Sequence, residues 1–194
     1  MAETDLRPFL REQARAAMRE LCAIERYFQD PGRESSDEAR EAAGAARALG
    51  LKLEEGLERA PGPRGRRRTL FLCSRALGRM AEAGRFLVDE ASRFGVGEDP
   101  ALQGLAHEAR RSAEELAAAA ERLAQASPGA PDASLAARAA GRTEHLRRQA
   151  TRGLAEEPDV VLTIKLRGLH RRFSEVALHA AEAAELLGEL GSPA

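Results

Sequence analysis

The chain has 194 residues, 43% hydrophobic and 31% charged, with 30 Lys+Arg against 31 Asp+Glu for a net charge of −1. This is a globular rather than a disordered composition, and the missing basic excess argues against a protein that lives on nucleic-acid phosphates. Aromatics make up 4%, with no Trp and Tyr27 as the single Tyr, so platforms for base stacking are scarce as well.

Ala, Leu, Arg and Glu dominate and β-branched residues are few, which favours helix nearly everywhere. Breakers cut the chain at 29–36 (QDPGRESS), 60–65 (APGPRG), 95–100 (GVGEDP), 127–132 (SPGAPD) and 156–159 (EEPD). The predicted helices therefore run over about 5–29, 35–59, 66–94, 100–126, 133–156 and 159–190. Start signals accompany them. Ser35 with Glu38 three residues on has capping-box spacing. Asp99 before Pro100 reads as an N-cap followed by a first-turn proline, and Asp132 and Asp159 are placed to cap the helices after them.

Three of these helices carry apolar seams that alternate steps of three and four. The third reads Leu70, Cys73, Leu77, Met80, Gly84, Leu87, Ala91. The fourth reads Leu102, Leu105, Ala109, Ser112, Leu116, Ala119, Leu123. The sixth reads Leu166, Leu169, Phe173, Val176, Ala180, Ala183, Leu187, Leu190. A mean step of 3.5 keeps one seam on a neighbour, as bundled helices require. Cys22 and Cys73 fall in such apolar patterns and form no metal-like or disulfide-framework spacing, which predicts reduced core thiols in a cytoplasmic protein. The N-terminal MAETDLRPFL does not read as a signal peptide, and no apolar run is long enough for a membrane span.

One phrase occurs twice. Residues 38–61 and 135–158, offset by 97, coincide at Ala39/Ala136, Ala42/Ala139, Ala43/Ala140, Gly44/Gly141, Leu49/Leu146, Gly56/Gly153, Leu57/Leu154 and Pro61/Pro158. Alanine matches are cheap in this composition, but mid-helix glycine costs about 1 kcal/mol against alanine and is not placed idly. With one residue of slippage, the third-helix seam then falls on the sixth. The expected architecture is an all-α, elongated six-helix bundle of two three-helix repeats, about 5–94 and 100–190, in a single domain.

The segment LRGLHRRFSEVALHAAEAAELL (166–187), and TLFLCSRALGRMAEAGRFLVDEA (69–91) in the first half, resemble the closing helices of the repeats in PhoU-like phosphate-transport regulators. The nearest likeness is to the branch that accompanies Pit-type inorganic phosphate transporters. The resemblance implies a non-enzymatic regulatory or accessory protein acting by contact with a transporter or signalling protein. In that family acidic Glu-x-x-x-Asp motifs supply hard oxygen ligands to metal ions. Here the matching positions are Ala43 and Arg47, Gly78 and Glu82, Ala140 and Glu144, and Ser174 and Leu178, with Glu175 and Glu182 nearby. One carboxylate per helix at best remains, and Arg47 would repel a cation. The expectation is therefore no metal and no cofactor, with Glu82, Glu144, Glu175 and Glu182 the residual carboxylates.

Other chemistry is thin. The residues three before His107, His145, His170 and His179 are Gly104, Arg142, Arg167 and Val176, so no Glu-x-x-His pair exists. HEARR (107–111) has Arg111 where a zinc motif needs its second histidine. His145 and His170 are the histidines to weigh as phosphoryl acceptors, against the favoured reading of solvated or partly buried helix residues. The acid pairs Glu54/Glu55 and Glu114/Glu115 read as solvent-facing. The sharpest charge cluster is Arg64, Arg66, Arg67 and Arg68, read as a loop entering the third helix that could hold an anion, an acidic partner or a lipid headgroup surface. Homodimerisation is expected if the long Ala/Leu faces are not all covered within one chain. The alternative from another class is a helical adaptor or dimerisation module unrelated to phosphate.

Overall fold

A computed structural model describes residues 6–59, 63–125 and 134–191. Among these residues there are six α-helices and no strand: α1 Arg7–Gln29, α2 Arg33–Arg59, α3 Arg64–Phe94, α4 Pro100–Ala124, α5 Ser134–Gly153 and α6 Val160–Gly191. A short 3-10 turn, Leu154–Glu156, follows α5.

Every residue of the three predicted seams is buried. Helices α1, α3, α4 and α6 form a central ring in which α1 packs on α3 and α4, and α6 packs on α3 and α4. α2 lies against α1 and α3; α5 lies against α4 and α6. Exchanging α1 with α4, α2 with α5 and α3 with α6 leaves this set of substantial contacts unchanged. The self-exchanged pairs are antiparallel: Arg15 meets Glu121 and Gln103 reaches the Phe28 carbonyl across α1/α4, while Cys73 faces Ala183 and Arg172 meets Glu90 across α3/α6. Phe28 and Phe173, with ring centroids 5.7 Å apart, fill the centre. Seams rich in Ala and Gly let helices approach closely. At Gly84 an added Cβ would lie 2.6 Å from a Glu20 carboxylate oxygen, and at Gly50 it would lie 2.8 Å from Gln13 Nε2.

The helix ends divide into those the local sequence specified and those it did not. Asp99 caps α4, accepting from Leu102 N at 2.9 Å with Pro100 in the first turn. Asp159 caps α6, accepting from Val161 N and Leu162 N at 2.8 and 3.1 Å. The Asp132 cap lies outside the described residues. α3 ends on Gly95, whose φ of 64° places it in the left-handed region that closes helices. Lys165 Nζ donates to the Phe94 carbonyl at 3.0 Å, answering another orphan acceptor of that end. The capping box does not form. α2 begins two residues earlier, at Arg33; the Ser35 hydroxyl donates to the Gly32 carbonyl, and Glu38 instead binds Arg26 on α1 at 2.6 Å. The arginine cluster is not a loop either: Arg64, Arg66, Arg67 and Arg68 form the opening turns of α3, which has no acidic residue in its first turn.

Candidate functional site

Two grooves sit on the flanks of the bundle, where the outer helices α2 and α5 lean on the ring. The first, of about 340 Å³, lies between α2 and α3 and is lined by Arg40, Arg47, Arg75, Arg79 and Arg85, with Glu54 and Glu82 the acids among its described lining residues. Its depth has a sequence cause, since Ala43, Gly44, Gly50 and Gly78 line it without raising a side chain into it. Under these residues Gln13 of α1 and Ser74 of α3 clasp each other. Gln13 Nε2 donates to the Ser74 carbonyl at 3.0 Å, and the Ser74 hydroxyl donates to Gln13 Oε1 at 2.8 Å. Both are buried. The pair locks α1 to α3 and leaves one amide N–H of Gln13 beside Gly50 and Gly78.

The arginines differ in their partners. Arg40 binds Asp89 and Asp37, each at 2.8 Å, and Arg85 binds Asp89 at 3.1 Å. Arg75 lies over the Phe71 ring at 5.6 Å. Arg47 and Arg79 are exposed and make no hydrogen bond or ion pair to any described residue. Elsewhere on the bundle arginines are commonly held by acids, as in Arg110 with Glu25, Arg142 with Glu108 and Arg172 with Glu90.

The second groove, of about 440 Å³, lies between α5 and α6 and is lined by Ala137, Ala140, Gly141, Glu144, Arg171, Ser174, Glu175, Ala177, Leu178 and Ala181. Its charges are satisfied. Glu144 accepts from Arg147, Arg148 and the Ser174 hydroxyl, and the arginine contacts hold its carboxyl down at about 2. Glu175 binds Arg171 and Arg172. All eight positions singled out by the family resemblance line one groove or the other: Ala43, Arg47, Gly78 and Glu82 the first, Ala140, Glu144, Ser174 and Leu178 the second. Glu182 is apart, paired with His179 at 2.9 Å. Among the described residues no three His, Cys, Asp or Glu side chains converge as metal ligands.

Of the predicted basic cluster, Arg64, Arg67 and Arg68 line a further hollow of about 430 Å³ with Leu57, Phe71, Glu54 and Glu58; Arg66 is exposed outside it. Glu54 thus lines two hollows and is half-buried, where the sequence reading had it facing solvent. For His170 the structure favours the bland alternative over the phosphoryl acceptor. The side chain is buried, its Nδ1 lies 3.2 Å from the Thr151 hydroxyl, and burial holds its imidazole below the usual range, so it cannot meet a phosphodonor. His145 is exposed. Cys73 is a core thiol pushed up to about 12 by burial, whereas Cys22 is only half-buried.

Two features escaped the sequence reading. Arg75 and Arg79 share a face of α3 with Gly78 between them, a pattern that spacing alone could have placed opposite Arg47 once α2 and α3 were paired. On α1 the seam runs Leu10, Gln13, Ala17, Glu20, Ile24, so two polar residues occupy core positions. Glu20 is fully buried against Gly84, neither carboxylate oxygen has a hydrogen-bond partner, and desolvation raises its pKa well above 4.5. No protein-family model and no curated protein matches this chain.

Proposed function

We propose that this protein is a non-enzymatic accessory of inorganic phosphate transport, of the PhoU-like kind, built from two three-helix repeats and acting by contact with a transporter or signalling protein. The observation that carries the reading is the co-location of the eight motif positions. They were chosen by resemblance, and they line two grooves at exchange-related places in the bundle. In this chain those grooves have diverged into a basic one and a charge-satisfied, largely apolar one. Contact rather than metal chemistry is what such surfaces offer. No described helix is long and apolar enough to cross a membrane, so a transporter would be met from outside the bilayer. The test is phosphate uptake in cells lacking the chain. The reading expects uptake under phosphate-replete conditions to change and to be restored by the wild-type chain; unaltered uptake in both replete and starved cells contradicts it.

A second reading, an adaptor or dimerisation module unrelated to phosphate, is favoured by one feature. Val160, Val161 and Ile164 stand 61–69% exposed together at the start of α6. Sedimentation mass addresses it. A dimer that Ile164→Asp dissociates, in a protein whose loss leaves phosphate uptake unchanged, selects this reading over the first.

A further inference from the structure

We propose that the α2/α3 groove is a binding site for a compact phosphate-type dianion, either inorganic phosphate or a phosphomonoester. This goes beyond the functional reading and does not depend on a transporter being the partner. Arg47 comes from α2 and Arg75 and Arg79 come from α3, so guanidinium groups reach the groove from both walls. Arg47 and Arg79 have no partner among the described residues, although a bundle this rich in Glu could have supplied one. Planar guanidinium groups bind tetrahedral oxyanions through paired charge-assisted hydrogen bonds, and two of them balance a dianion. Ala43, Gly44 and Gly78 keep the floor open, and the remaining N–H of Gln13 lies beside it as a neutral donor. A groove of about 340 Å³ is of small-ligand size. Glu54 and Glu82 share the lining and oppose any anion there, but the five arginines of the groove outnumber them.

The equivalent groove supplies an internal contrast. Where the first groove has Arg47, the second has Glu144, already held by Arg147, Arg148 and Ser174. Where the first has Arg79 without a partner, the second has Glu175 paired with Arg171 and Arg172. One site is left with uncompensated positive charge and the other is not.

The test is calorimetric titration of the full chain at low ionic strength in a phosphate-free buffer, with inorganic phosphate in one arm and adenosine monophosphate in the other. The tighter arm identifies the source of the phosphoryl group. The expected result is saturable one-to-one binding in at least one arm, weakened roughly tenfold or more by Arg47→Glu and by Arg79→Glu. Arg66→Glu makes the same change in net charge outside the groove and should leave binding within about twofold. Gly44→Leu guards against misfolding as the explanation. A Cβ at Gly44 meets nothing within 4 Å, so the fold should hold, as read by thermal unfolding, while the new side chain fills the groove and abolishes binding. No saturable binding in either arm, or an Arg66→Glu loss as large as that of Arg79→Glu, overturns the proposal.

Discussion

Glu20 and Glu144 are carboxylates with opposite relations to stability. Glu20 is buried without a hydrogen-bond partner, and its pKa in the fold lies above the ordinary 4.5. The folded chain therefore holds that proton more tightly than the unfolded one. The associated stability is complete below pH 4.5 and is lost as pH rises toward the raised value. Glu144, held down at about 2 by Arg147 and its other donors, contributes stability that is present above pH 4.5 and lost as pH falls toward 2. Glu20→Gln removes the first effect. It is expected to stabilise the protein at neutral pH by about 1–3 kcal/mol, seen as a Tm rise of roughly 2–4 °C per kcal/mol. It should also flatten the fall in Tm on going from pH 4.5 to neutrality. An unchanged pH profile would mean that Glu20 stays charged with a compensating partner. The thiols are also distinguishable: Cys22 should react with a thiol reagent in the native state, and Cys73, buried and donating toward the Ala183 carbonyl, only on unfolding.

At the level of the helix, glycines that look alike in sequence have different duties. Gly44 and Gly50 both lie inside α2. At Gly44 a Cβ meets open space, so Gly44→Ala should stabilise by about 0.5–1 kcal/mol through helix propensity alone. At Gly50 the same Cβ comes within 2.8 Å of Gln13 Nε2 and 3.4 Å of Ser74 Oγ and must break their clasp, so Gly50→Ala should destabilise by about 1–2 kcal/mol despite the same propensity gain. Urea denaturation of the two variants side by side checks the contrast in sign. The cap of α4 makes a simpler case: Asp99→Ala should cost about 1 kcal/mol and speed amide exchange in the first turn from Ala101. Seams and such caps were legible in the sequence because they depend on spacing along one helix. Asp99 and Asp159 cap as their positions suggest. Ser35 does not, because α2 already begins at Arg33 and leaves Ser35 inside its first turn; Glu38, the other half of the expected box, is taken by Arg26 of another helix, a partner that no local pattern reveals. The groove was legible only in part for the same reason. Arg47 and Gly78 stood out individually, but their meeting depends on how α2 leans on α3, and the Gln13–Ser74 clasp beneath them spans two helices.

Across the whole molecule, the bundle places two grooves at exchange-related positions and gives them different chemistry. The four ring helices hold most of the buried residues. Phe173→Ala, which empties the contact with Phe28, should cost about 3–5 kcal/mol by chemical denaturation. The outer helices α2 and α5 contribute fewer buried residues and form one wall of each groove. A doubled phrase of glycines, leucines and a proline suggested a repeat, and the set of helix pairings in space is unchanged when the two halves are exchanged, which by itself fixes contacts and not descent. The identity of any partner was not legible, because it would depend on the partner's surface as much as on this one. Capture on the tagged, full-length protein from detergent-solubilised membranes of phosphate-starved and phosphate-replete cells tests the functional claim most directly. The account predicts recovery of an inorganic phosphate transporter or its signalling partner, in amounts that differ between the two conditions. Recovery of neither from either membrane, with the tagged chain intact and folded, contradicts it.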